Sequence, residues 1–281
     1  MSVINALSDI KRLVRGPTGA TGTRQARVVA VTARKGGVGK TTTTVNLGAC
    51  LAKYHGKKVL LIDMDAQGHV EMSLRSAVSG QTADSLSRVL LTRRRDIQEI
   101  VQPTSIEGLW IVSSDHDLNN TESVMGTRIG KELLLKQALN RARTHFDLIL
   151  IDCPPNLGTL TVNALVAADQ VLIPCDLSTL SLDGVDALLE TLETVQETLN
   201  PMVRLLGLVR TRVDRRNQTM NTAIEENLRA RYGTWLLHSE IGISTALSKA
   251  QHAGSPVCLF DTGSRGAVGY KELAKEVCTL L

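Results

Sequence analysis

The sequence predicts a doubly wound α/β fold, a mostly parallel sheet with helices on both faces. Three features carry that expectation. Short, nearly continuous Val/Ile/Leu runs recur along the chain, as expected of strands buried on both faces of a parallel sheet. Longer amphipathic segments lie between them, and strands alternating with helices imply crossover connections rather than hairpins. Hydrophobic residues make up 43% of the 281 residues but aromatics only 2%. The core must therefore be aliphatic, and a single-strand nucleic-acid platform built on stacked aromatic rings fits poorly.

The elements follow in order. In "MSVINALSDIKRLV", Val3, Leu7, Ile10 and Val14 form one helical stripe, which predicts an amphipathic helix over residues 1–15. So short a helix is marginal alone in water, and three roles stand open for it: docking a partner, lying on a membrane, or a plain extension. "GPTGATGT" opens a flexible tether spanning 16–26. A single domain then occupies 27–281, with strands expected at 28–31, 59–62, 109–112, 148–151, 171–174 and 205–209. Helices are expected at about 40–54, at 130–143 ("GKELLLKQALNRAR") and at 184–199 ("GVDALLETLETVQETL"). No run approaches the roughly 20 apolar residues that a membrane span requires, and the N-terminus lacks a signal-peptide core. Cys50, Cys153, Cys175, Cys258 and Cys278 are scattered without a C-x-x-C pair. They read as reduced core residues of a cytoplasmic protein.

Charge is modest in total and uneven in place. The net +4 is already reached within residues 1–27, where Lys11, Arg12, Arg15, Arg24 and Arg27 face Asp9 alone. Residues 203–231 hold arginines 204, 210, 212, 215, 216, 229 and 231 against Asp214, Glu225 and Glu226. Two positive regions on a nearly neutral body suggest anionic partners, against the plainer reading of a solvated arginine face.

"TARKGGVGKTTTT", Thr32 to Thr44, carries the chemistry. It follows a strand and leads into a helix, the context in which a glycine-rich loop binds phosphate. Gly36, Gly37 and Gly39 let backbone N–H groups around Val38 approach phosphate oxygens, and the helix N-terminus at Thr41 and Thr42 adds its dipole. Lys40 is placed to reach the β- and γ-phosphates of ATP, and the Thr41 hydroxyl to ligate Mg²⁺. Arg34 stands where the usual pattern has its first glycine, and Lys35 adds a second positive charge.

Loop and helix start together, "KGGVGKTTTTVNLGACLA" resembles the deviant Walker A loop of the ParA/MinD family of ATPases, closest to the Soj-like partition members. The resemblance runs from about residue 27 to 279 and implies an ATP- and Mg²⁺-dependent homodimer. In it, Lys35 crosses the interface to the phosphates bound by the other subunit, like an arginine finger supplied in trans. Arg34 is a departure, since Gln is common there. "KKVLLIDMDAQGH" resembles the family's second carboxylate motif and makes Asp65 the water-positioning aspartate. Asp63 has the alternative reading of a strand-end aspartate capping the next loop, and AQGH replaces the more usual PQGN. "FDLILIDCPPNLGTLTVNALVAADQVLIP" resembles the Walker B strand and switch, so Asp152 would hold Mg²⁺ through a water. A segment near Thr211–Asp214 is expected to help hold adenine.

The resemblance also implies partners. ParA-like members bind double-stranded DNA without sequence preference, and a ParB-like or cargo-adaptor protein stimulates hydrolysis. Nucleoid association would follow. Arg210, Arg212, Arg215, Arg216, Arg229, Arg231 and Lys249 are the candidate DNA contacts, with Met220, Ile224 and Leu228 packing inward. Partition members often carry an arginine where this chain has Ala246, so the DNA surface is expected to be shifted. A MinD-like role on a membrane or protein scaffold is the alternative. "LAKEVCTLL" has no basic amphipathic tail, which counts against membrane attachment. An iron–sulfur carrier of the nitrogenase iron-protein type would need two placed cysteines per chain. Cys153 has no counterpart for that role.

Overall fold

A computed structural model describes residues 24–281 except 81, 83, 93, 94 and 215–217. The helix expected over 1–15 and most of the 16–26 tether lie outside the described residues. The elements in chain order are β1 (Arg27–Val31), α1 (Lys40–His55), β2 (Val59–Asp63), α2 (His69–Leu74), α3 (Leu86–Leu91), β3 (Gln102–Pro103), β4 (Leu109–Val112) and α4 (Leu118–Met125). They continue with α5 (Leu134–Ala138), β5 (Leu148–Asp152), α6 (Thr159–Ala167), β6 (Gln170–Asp176), α7 (Thr179–Thr198) and β7 (Arg204–Val213). The chain closes with α8 (Gln218–Tyr232), β8 (Leu236–Gly242), α9 (Thr245–Ala253), α10 (Val257–Phe260) and α11 (Arg265–Leu280).

The strands form one sheet in the order β3-β4-β2-β5-β1-β6-β7-β8. All neighbours are parallel except the short edge pair β3–β4. Successive side chains of the central strands serve opposite faces. Val28, Ala30, Leu60, Ile62, Ile149 and Ile151 enter one core, while Val29, Val31, Val59, Leu61, Leu148 and Leu150 enter the other. Two aliphatic cores sandwich the sheet, which explains why the strands read as continuous apolar runs. Four cysteines are buried, Cys278 is half-buried, and all five are free.

The helix expected at 130–143 is a correction. It is broken into a 3₁₀ turn at Lys131–Leu133, the short α5, and another 3₁₀ turn at Ala142–Thr144. Asn163, from α6, enters the ladder between residues 131 and 135. Its Oδ1 accepts the Leu135 N–H at 3.1 Å and its Nδ2 donates to the Lys131 carbonyl at 2.8 Å. A side chain thus replaces the i→i−4 bond that a continuous helix would make there.

The edge strand β8 is held by the C-terminal helix. Glu276 on α11 accepts the His238 N–H at Oε1 and the Ser239 N–H at Oε2, both at 2.8 Å. Burial alone would raise its pKa, but these donors from Ser239 and His238 outweigh it and hold the carboxyl below the ordinary glutamate value. A depressed folded pKa gives stability that is present above the unfolded value, about 4.3, and lost as pH falls through the folded one. Glu276→Gln is therefore expected to cost about 1 kcal/mol at neutral pH. The difference in Tm from the parent should shrink as pH drops below about 4. A pH-independent difference would locate the effect in packing.

Candidate nucleotide site at the strand ends

Five parallel strands deliver their C-terminal ends to one crevice, where ligands bind in open α/β sheets. Asp152 ends β5 in register with Val31 of β1 on one side and Asp63 of β2 on the other. Asp176 at the end of β6 is in register with Thr211 of β7. The glycine-rich loop leaves β1 in their midst. Gly37 and Gly39 adopt φ of 75° and 93°, in the left-handed region that glycine enters without steric cost. Gly39 caps α1, and its carbonyl accepts the Thr43 N–H at 2.8 Å.

Lys40 is 8% exposed, with Nζ 3.4 Å from the Lys35 carbonyl. Burial pushes its pKa below the ordinary lysine value, partly offset by the charge of Asp152. Asp152 is fully buried. Thr41 Oγ1 donates to its Oδ2 at 2.6 Å, and Thr44 Oγ1 lies 3.1 Å from its Oδ1. Burial raises its pKa to about 7, against those two hydroxyls and Lys40. Asp63, also fully buried, is pushed well above the carboxylate range by burial and by the neighbouring Asp152. Buried carboxylate charge that one lysine only partly compensates, flanked by a threonine hydroxyl, is an oxygen-rich environment that suits a hard divalent cation such as Mg²⁺.

Asp63 takes the capping role. Its Oδ1 accepts the Asp65 N–H and its Oδ2 the Val70 N–H, both at 3.0 Å, which ties the 64–70 loop down. Asp65, half-buried, is thereby presented at the rim, with Oδ1 accepting the Gln67 N–H at 3.1 Å. Lys35 turns onto its own subunit. Its ammonium lies 2.8 and 3.1 Å from the two oxygens of Asp176 and 2.9 Å from Ser178 Oγ.

The structure brings Lys35, Lys40, Thr41, Asp65 and Asp152 together but divides the DNA candidates. Arg210 is a correction. It is 5% exposed, bonded to Glu225 at 2.5 Å and to the His238 carbonyl at 3.0 Å, with Glu240 at 3.4 Å. A guanidinium so enclosed cannot meet a DNA phosphate. Arg212 is exposed, but it donates to the Gly37 carbonyl at 3.1 Å and belongs to the loop. Arg215 and Arg216 lie outside the described residues. Arg229 and Arg231 are exposed and paired with Glu225 at 2.7 Å and Asp186 at 2.5 Å. Lys249 is exposed on α9, whereas Ala246 is buried against the second core. The sequence reading missed Thr44, whose i, i+3 spacing from Thr41 was its signal, and also Asp176 and Ser178, which had none.

A family model described as an AAA domain covers residues 26–205. The sporulation initiation inhibitor protein Soj of Bacillus subtilis is 39% identical over 251 residues, 89% of this chain and 98% of Soj. The chain belongs to the ParA/MinD family of deviant Walker A ATPases. The chromosome partitioning protein ParA of Caulobacter vibrioides, another relative, is 38% identical over 253 residues, 89% of this chain and 93% of that protein. A Mycobacterium smegmatis structure described as cobyrinic acid a,c-diamide synthase, with bound ATP analogue and magnesium, is 35% identical. It superposes with a TM-score of 0.73 over 89% of this chain and 93% of its own. An ATP complex of McdA from Cyanothece shares the fold, with a TM-score of 0.79 at 22% identity, over 91% of this chain and 97% of its own. Within the family, the chain sits with the Soj- and ParA-like partition ATPases.

Proposed function

We propose that this chain is a Mg²⁺-dependent ATPase that alternates between a monomer and an ATP-bound sandwich dimer. As the dimer it binds double-stranded DNA without sequence preference, and so partitions or positions a plasmid, chromosome or large protein cargo. A ParB-like or cargo-adaptor protein stimulates hydrolysis and releases the dimer from the nucleoid. The observation that carries this reading is the division of labour between two lysines of one loop. Lys40 is buried beside Asp152, while the partly exposed Lys35 side chain is held on Asp176. A single nucleotide in its own subunit needs only the first.

Lys40 and the N–H groups of Gly36 to Thr42 would bind the phosphates, and Asp65 would orient the attacking water. Thr41, and Asp152 through a water, would hold Mg²⁺, which supplies neutralisation of the phosphate charge. The M. smegmatis relative, whose structures carry ADP or an ATP analogue with magnesium, supports the choice of ligand. No helix among the described residues is long and apolar enough to cross a membrane.

The test is binding of Asp65→Ala protein to non-specific duplex DNA, with ATP or ADP, across a salt series. Binding is expected with ATP alone, with log K falling linearly against log salt at a slope near about −0.9 per phosphate neutralised. Absence of binding at low salt would shift the dimer's track to a membrane or protein scaffold, as in the MinD-like alternative. The ion-paired Arg229 and Arg231 make that outcome informative, because a phosphate must displace Glu225 or Asp186 to engage them.

A further inference from the structure

The end of β7 is irregular, and the irregularity faces the phosphate loop. The β7–β8 register shifts between Arg210 and Val213, and Arg212 has a φ of 54°. It is the one non-glycine residue with positive φ among the described residues. Adjacent side chains on a regular strand point to opposite faces. Here the left-handed residue brings two consecutive side chains to the same neighbour. Thr211, 2% exposed, donates from Oγ1 to the Val38 carbonyl at 2.7 Å, with the Cys175 carbonyl also within 3.1 Å. Arg212 Nη1 donates to the preceding carbonyl, Gly37, at 3.1 Å.

A planar trans peptide points its N–H opposite to its C=O. Drawing the Gly37 and Val38 carbonyls toward β7 therefore turns the N–H groups of Val38 and Gly39 the other way. Neither N–H has an acceptor among the described residues. Two adjacent inward N–H groups without an acceptor form an anion-binding concavity. We propose that Thr211 and Arg212 are positioning residues for a nucleoside diphosphate moiety. They hold the loop carbonyls so that the Val38 and Gly39 N–H groups face the phosphates, and Arg212 adds positive charge at the loop's outer edge. This rests on the loop being the nucleotide site, and it replaces an adenine contact as the role of Thr211 and Arg212. The backbone strain at Arg212 is retained because the guanidinium must reach Gly37.

Residues acting through loop amides serve ADP and ATP alike, so their loss weakens binding uniformly and falls on KM more than on kcat. The experiment measures Kd for Mg-ADP and Mg-ATP, together with the Tm of nucleotide-free protein. Arg212→Gly suits the left-handed backbone and lacks the guanidinium. It is expected to raise both Kd values about tenfold while Tm stays level or rises. Arg212→Lys should recover part of the affinity. Thr211→Val should lose affinity and lower Tm, since it strips the hydroxyl from two buried carbonyls, whereas Thr211→Ser should keep most of the affinity. For Arg212→Gly, unchanged Kd values would overturn the proposal, as would a loss confined to ATP, or a loss in that variant matched by a fall in its Tm. If the parent protein itself bound neither nucleotide, the site reading would fail instead.

Discussion

Lys35→Ala is expected to abolish ATP-dependent dimerisation while leaving Mg-ADP binding within a few-fold of the parent. Lys40 and Asp152 are buried together, and Lys35 meets them only through its carbonyl, 3.4 Å from the Lys40 ammonium. The Lys35 ammonium is engaged by the Asp176 carboxylate and Ser178, with about a third of the side chain still exposed. A partner's triphosphate offers more negative charge than one carboxylate, so ATP in the facing subunit can draw the ammonium across. ADP, lacking the γ-phosphate, competes less well. On the proposed reading, this local ion pair would hold the monomer until ATP in trans displaces it. Fingers of this kind are worth about 10³–10⁵ in rate, so hydrolysis should fall to the uncatalysed background of the isolated loop. Light scattering after size exclusion, with and without ATP, checks the first part, and phosphate release checks the second. A variant that still dimerised with ATP would confine Lys35 to its ion pair with Asp176.

The sheet was largely legible, and its failures have physical causes. Six apolar runs became strands because parallel strands buried on both faces need apolar side chains at every position. The last strand, "LLHSEIG", was missed because it lies at an edge and alternates between buried and accessible residues. The helix over 130–143 has sound periodicity. What interrupts it near its start is Asn163, which reaches in from another helix and which no local pattern reports. In the candidate site, the sequence reading picks out the loop and Asp152 because a phosphate loop restricts residue type and spacing, and the structure places both at the strand ends. Arg210 was not legible. Its burial depends on Glu225 and Glu240, which come from α8 and β8. Thr211 and Arg212 depend on one backbone angle, and sequence carries no signal for an arginine at positive φ.

Asp65→Ala is expected to slow hydrolysis about 10²–10⁴-fold while preserving ATP binding, and so to accumulate the ATP dimer. Asp63, the last residue of β2, and Asp65, just beyond it, are used differently. Asp63 is fully buried and commits both carboxylate oxygens to backbone N–H groups of the loop that carries Asp65. Removing it would leave those donors unsatisfied, so Asp63→Ala should lower Tm and disturb the loop as a whole. Asp65 is half-buried, close enough for its charge to bear on Lys40 and Asp152, and among the described residues its carboxylate accepts only a local turn contact at Oδ1. A carboxylate in that position can orient a water against the terminal phosphate without supporting the fold. The two variants should therefore separate, with Asp65→Ala retaining the parent's Tm and Kd and losing rate, and Asp63→Ala losing stability first. Single-turnover hydrolysis measured beside thermal melting decides the assignment. An unimpaired single-turnover rate in Asp65→Ala would remove it from the mechanism and leave the water to be positioned by another group at the strand ends.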